Sequence, residues 1–110
     1  MSNAALAALK LALRAEIVNL MNFTGLIEVE EAQSRDWASA TFTGQQHRFC
    51  LCLDGPAAAA TADALLSGMA DREFDLGRHI LVDIALVADE RRDGGGRVRL
   101  TLEALTVEAD

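Results

Sequence analysis

Two segments of this 110-residue chain are apolar on both faces when drawn as strands. One is Phe49-Cys50-Leu51-Cys52-Leu53; the other is Ile80-Leu81-Val82, continued beyond Asp83 by Ile84-Ala85-Leu86-Val87-Ala88. A strand with one wet face alternates apolar and polar side chains, so both segments are predicted to be central strands, covered above and below. An Ala-rich stretch lies between them, which fits a right-handed β-α-β crossover setting the two strands parallel and close together.

The remaining pattern fills in the elements around that pair. Leu6, Leu9, Leu13, Ile17 and Leu20 recur at helical spacing over residues 4 to 22, with Ser2 or Asn3 as the cap and Gly25 as the left-handed exit. Alternating runs at Leu26 to Glu31, Trp37 to Thr43 and Gln46 to Leu53 predict three strands in a meander, broken at Gln33 to Asp36 and at Gly44. The first break contains neither Pro nor Gly, so residues 26 to 37 also fit one long bent strand. Pro56 opens a second helix running to about Ala70, with Leu65, Leu66 and Met69 as its large apolar groups. Two long strands, Arg78 to Glu90 and Arg97 to Glu108, close the chain through an Asp93-Gly94-Gly95-Gly96 turn.

The predicted fold class is α+β: a two-layer α/β sandwich in the order α-β-β-β-α-β-β, with two helices on a mixed, mostly antiparallel five-stranded sheet. A single domain spans residues 1–110, since no linker, repeat or composition shift divides the chain. Two helices cover one face of such a sheet. The other face requires a cover, and a second copy of the chain is the expected one, packed sheet to sheet or through the N-terminal helix.

Composition narrows the partners. Apolar residues make up 51% and charged residues 25%, so the chain has the means to bury a core. A net charge of −7 repels phosphate backbones and anionic headgroups, which argues against nucleic acid and membrane partners. No run of about 18 uncharged apolar residues offers a transmembrane helix. The first residues lack the basic and apolar blocks of a signal peptide, and with only two cysteines the cytoplasm is the expected compartment.

Few residues suggest chemistry. Asp83 interrupts the most apolar run, where a buried carboxylate needs a cation such as Arg48; the pair, with His79 or His47, forms the candidate pocket. An ion pair or a solvated position explains Asp83 more simply. His79 and Asp83 lie roughly 13 Å apart along an extended strand and make no dyad. Two histidines without a third ligand do not define a metal site, and neither metal nor cofactor is expected. Cys50 and Cys52 share one strand face at a spacing that suits neither a redox pair nor a zinc knuckle, so they read as small buried hydrophobes. Arg91, Arg92, Arg97 and Arg99 gather at the last hairpin, interleaved with Asp89, Glu90 and Asp93, which predicts mutual charge pairing on a solvated tip.

The helix-β-β-β-helix order read over residues 4 to 70 resembles, in topology only, a double-stranded RNA-binding domain. That family's basic cluster at the start of its last helix falls near Pro56, where this chain carries Ala57 to Ala60. Function is therefore expected at the level of a small non-enzymatic interaction module, a homodimer with possible further protein partners. The alternative is a small-molecule-binding protein or enzyme using the pocket around Asp83 and Arg48.

Overall fold

The computed structural model describes residues 3–108. Its elements follow the order α1 (Ala4–Met21), β1 (Leu26–Ala38), β2 (Thr43–Asp54), α2 (Ala58–Leu66), β3 (His79–Arg92) and β4 (Arg97–Glu108). The four strands form one sheet in the order β1-β2-β4-β3, and every hydrogen-bonded pair is antiparallel.

Two expectations are corrected here. The sheet has four strands, not five, and it is not mixed. The alternative of one long strand over residues 26 to 37 holds, as β1 continues through residues 33 to 36 to Ala38; the separate strand predicted at Trp37 to Thr43 does not exist, since Trp37 and Ala38 end β1, residues 39 to 42 turn and Thr43 begins β2. Ser39 makes that turn: its hydroxyl oxygen accepts from the backbone N–H of Thr41 (3.3 Å) and Phe42 (3.0 Å), and its own N–H donates to the Phe42 carbonyl (2.8 Å). With only two strands between the helices, the topological resemblance to a double-stranded RNA-binding domain also lapses.

The second correction concerns β3. It runs in the same direction as β2, but β4 lies between them, so they are not bonded neighbours and β3 is a sheet edge. Only β2 of the two doubly apolar segments is central. The register explains how β3 disguises itself. Bulges between Leu81 and Asp83 and between Leu86 and Ala88 each insert a residue, Val82 and Val87, and reset the alternation. Leu81, Ile84 and Leu86 consequently sit opposite the buried Thr106, Ala104 and Leu102, while the inserted valines stay exposed.

The core lies between one sheet face and the two helices. Leu9, Leu13 and Ile17 of α1 and Ala58, Ala62 and Leu65 of α2 are fully buried against Phe49, Leu51 and Leu53 of β2 and Val98, Leu100 and Leu102 of β4. Asn3 caps α1, its side chain accepting from Leu6 N–H at 2.9 Å. Asn22, at φ 49°, makes the left-handed exit that the sequence pattern places at Gly25. Gly25 is needed for another reason: a Cβ there would strike the Asp54 carbonyl oxygen and the Phe23 ring. The alanines of α2 let that short helix lie close on the sheet, and Arg72 holds its end by donating to the carbonyls of Ala64 (3.2 Å) and Ser67 (2.8 Å) while pairing with Glu16 of α1 at 2.6 Å. No described helix is long and apolar enough to cross a membrane.

Candidate functional site

The sheet face turned away from the helices has no covering element among the described residues. Its middle is a lattice of opposite charges. Arg99 of β4 binds Glu30 (2.8 Å) and Glu31 (3.0 Å) of β1, Arg48 of β2 binds Glu103 of β4 (3.3 Å), and Arg97 binds Asp54 (3.3 Å). Each pair is worth at most about 1 kcal/mol in water, but together they make this part of the face self-satisfied. The Arg99 guanidinium beside Glu30 holds that carboxyl below its ordinary value. At the hairpin, Arg91 turns to the helix side and binds Asp63 of α2 (2.7 Å) and Asp89 (3.1 Å). These arginines are engaged by carboxylates of the same chain.

The two sheet edges differ sharply. β1 carries Glu28, Glu30, Glu31, Arg35 and Asp36, and its register shifts between Glu30 and Gln33 around Glu31 at φ 51°. Charge and a bulge are the usual devices that stop an edge from pairing. β3 has the bulges but no charge along its middle apart from Asp83. Ile80 is 53% exposed, Val82 55%, Leu86 41% and Val87 44%. Next to it, Phe42 of the β1–β2 turn, Ile80 and Val107 line an open hollow of about 630 Å³. α1 adds a separate apolar row, with Leu11, Val18 and Met21 all exposed on its outer side.

The residues predicted for a pocket do not meet as a group. Asp83 is exposed on the edge strand opposite Leu105, whereas Arg48 lies on β2 opposite Glu103 and binds it. With β4 between their strands, Asp83 and Arg48 are at least two strand spacings apart, roughly 10 Å. His79 lines an open cleft of about 810 Å³ at the start of α1, together with Trp37, Gly44 and Thr106. His47 is fully buried behind it, its Nδ1 2.7 Å from the Ser34 hydroxyl and its Nε2 2.9 Å from the Thr106 hydroxyl. Thr106 donates to the Gln45 carbonyl at 3.4 Å, so it accepts from Nε2–H, and Nδ1 accepts from Ser34. A neutral ring satisfies every partner in this chain.

Burial, aided by the nearby His79, lowers the pKa of His47 below the ordinary 6.5. The unfolded chain then takes up a proton near pH 6.5 that the folded chain refuses, so the contribution to stability is complete above that value. It is lost as pH falls from about 6.5 toward the lower folded pKa, with a slope of at most ~1.4 kcal/mol per pH unit. Urea denaturation at pH 7.5 and 5.5 should show wild type losing stability and His47→Gln losing much less. Equal stability of the wild type at both pH values would contradict the buried neutral ring.

The cysteines are free. Cys50 is buried on the outer face beneath Glu31 and beside Thr101, and burial pushes the Cys52 thiol up, with Glu30 adding to the effect, which disfavours its reactive thiolate. Among the described residues, no group of three His, Cys, Asp or Glu side chains is placed to hold a metal ion.

The feature missed from the sequence is the exposed row on β3, because a bulge leaves no mark in a single sequence. Asp89 and Glu90, ending the apolar run without any Gly or Pro, are the available hint that the strand runs out into water.

No family model matches the chain, and no curated protein matches it. Among solved structures, a chain from "Virion of native gene transfer agent (GTA) particle" is similar, at 20% identity and a TM-score of 0.59. The match covers 98% of this chain and 100% of that one, so the whole α-β-β-α-β-β arrangement is shared as a fold.

Proposed function

We infer that this chain is an assembly subunit, a structural component that works by binding copies of itself and other proteins within a larger particle. The observation that carries this reading is the exposed apolar row on the edge strand β3, which has bulges but no charge along its middle other than Asp83, and which a protein acting alone would be expected to blunt further. The fold shared end to end with a virion chain supports it, as does the second apolar row along α1, since a subunit inside a particle needs more than one contact surface. The cytoplasm is the setting proposed for its synthesis, where its two thiols stay reduced.

Light scattering coupled to size exclusion tests the reading. At micromolar concentration the chain should run at a multiple of its own mass, with the dimer as the smallest expected unit. A strict monomer across the accessible concentration range would remove the basis for self-assembly.

A further inference from the structure

We propose that the first contact in this assembly is antiparallel pairing of β3 with β3 of a second copy about a two-fold axis, extending the four-stranded sheet into an eight-stranded one. The inference rests on the assembly reading above and names the interface and the partner.

The strand is built to match itself. Its middle, from Ile80 to Ala88, is apolar apart from Asp83. Arg78, in the turn just before the strand, and His79 stand at its start; toward its far end come Asp89 and Glu90, followed by Arg91 and Arg92, with Asp89 held by Arg91 at 3.1 Å. In a two-fold antiparallel pair, residue i of one copy faces residue j of the other with i plus j constant, so the same match occurs twice. Centring the axis on Ile84 sets Arg78 opposite Glu90 and His79 opposite Asp89, with Val82 opposite Leu86. One opposite-charge pair, Arg78 with Glu90, then flanks the apolar centre at each end. A parallel arrangement sets like charge against like and is disfavoured.

The molecule leaves these groups available. Arg78 and Glu90 are exposed, and among the described residues neither has an ion-pair partner, unlike Arg48, Arg91, Arg97 and Arg99. An edge strand also presents a row of unpaired backbone N–H and C=O groups, and β-strand addition satisfies them directly. The β1 edge is the poorer one for this contact: both edges carry bulges, but β1 also sets the carboxylates of Glu28, Glu30 and Glu31 against any incoming strand.

Charge exchange separates this interface from any other. Sedimentation equilibrium is run on wild type, on Arg78→Glu, on Glu90→Arg and on the double variant. Val82→Lys probes the apolar centre, and far-UV circular dichroism checks that each variant is folded. Each single variant and Val82→Lys should weaken self-association at least tenfold. The double variant should regain most of the loss, because each new glutamate then faces the new arginine of the other copy. If wild type associates and the β3 variants associate equally well, this interface is overturned while the assembly reading stands. Single variants that weaken association without recovery in the double variant overturn the antiparallel register, and a monomeric wild type overturns both.

Discussion

Phe49→Ala should lower the unfolding free energy by about 3–5 kcal/mol, the largest loss expected from any single side-chain truncation in this chain. Phe49 is the bulkiest fully enclosed residue, 1% exposed at the centre of β2, directly opposite Leu102 of β4. Its ring lies where the two central strands meet the helices, so neighbours held by the sheet on one side and by α1 on the other have little freedom to collapse into the space left behind. A domain of this size has a total stability of only about 5–15 kcal/mol, so the variant should be marginal at ambient temperature. Urea denaturation followed by circular dichroism checks it, with a lower midpoint and an unchanged slope as the expected result. A loss under ~1 kcal/mol would mean that Phe49 does not sit in the core. The adjacent Cys50 is the natural comparison, since it lies on the opposite sheet face, and Cys50→Ala should cost far less.

Phe49 also marks how much of the architecture can be read from the chain. Periodicity located α1, the core half of β2 and β4, because in those places each side chain's face follows from its position in the repeat. Leu9, Leu13 and Ile17 are buried as the helical stripe requires, and Val98, Leu100, Leu102 and Ala104 as the strand alternation requires. Two features defeated that logic. Ser39 closes a turn with its side chain and without Gly or Pro, so the β1–β2 connection read as strand. Val82 and Val87 are bulge residues, and each lets an apolar side chain follow another on an edge strand while suggesting a strand apolar on both faces. Both faces of β3 thus looked covered, when part of its apolar surface is exposed. The same bulged edge explains Asp83: it interrupts an apolar run in the sequence, yet it lies exposed on the edge strand and needs no buried cation.

With β3 at the margin, the expectation of two central strands needing a cover on the open face does not hold, and uncovered apolar surface is found elsewhere. The open face of the sheet is occupied in its middle by ion pairs such as Arg99–Glu30 and Arg48–Glu103. Most of the exposed large apolar groups are at the β3 edge and on the outer side of α1, with Leu26 of β1 and Phe42 of the β1–β2 turn apart from them. An ion-paired face disfavours stacking two sheets, because the paired charges would lose their water. Edge pairing leaves that face hydrated and satisfies backbone groups at the same time, which is why the contact inferred between copies runs along β3.

Gly44→Ala is expected to be the most damaging of the small substitutions, at about 3 kcal/mol. Gly44, which the sequence pattern makes a break between strands, is the second residue of β2, paired with Trp37 on one side and Val107 on the other. Its backbone is not left-handed, so the demand is for space alone. A Cβ there would collide with the backbone carbonyl of Thr106 and come within 3.0 Å of Trp37 Nε1. Backbone cannot give way as the end of a flexible side chain can, so the β2–β4 ladder must separate locally, loosening the Thr106 hydroxyl that accepts from His47. Trp37 is the single tryptophan, and its fluorescence reports on this spot directly. The variant should show a changed emission maximum together with a lower unfolding midpoint. Gly77→Ala is the control: nothing lies within 4 Å of its Cβ, but φ is 68°, so it should cost about 1 kcal/mol through backbone strain with Trp37 emission unchanged. Should Gly44→Ala match wild type in both stability and emission, the close crossing of β2 and β4 at Thr106 would be refuted.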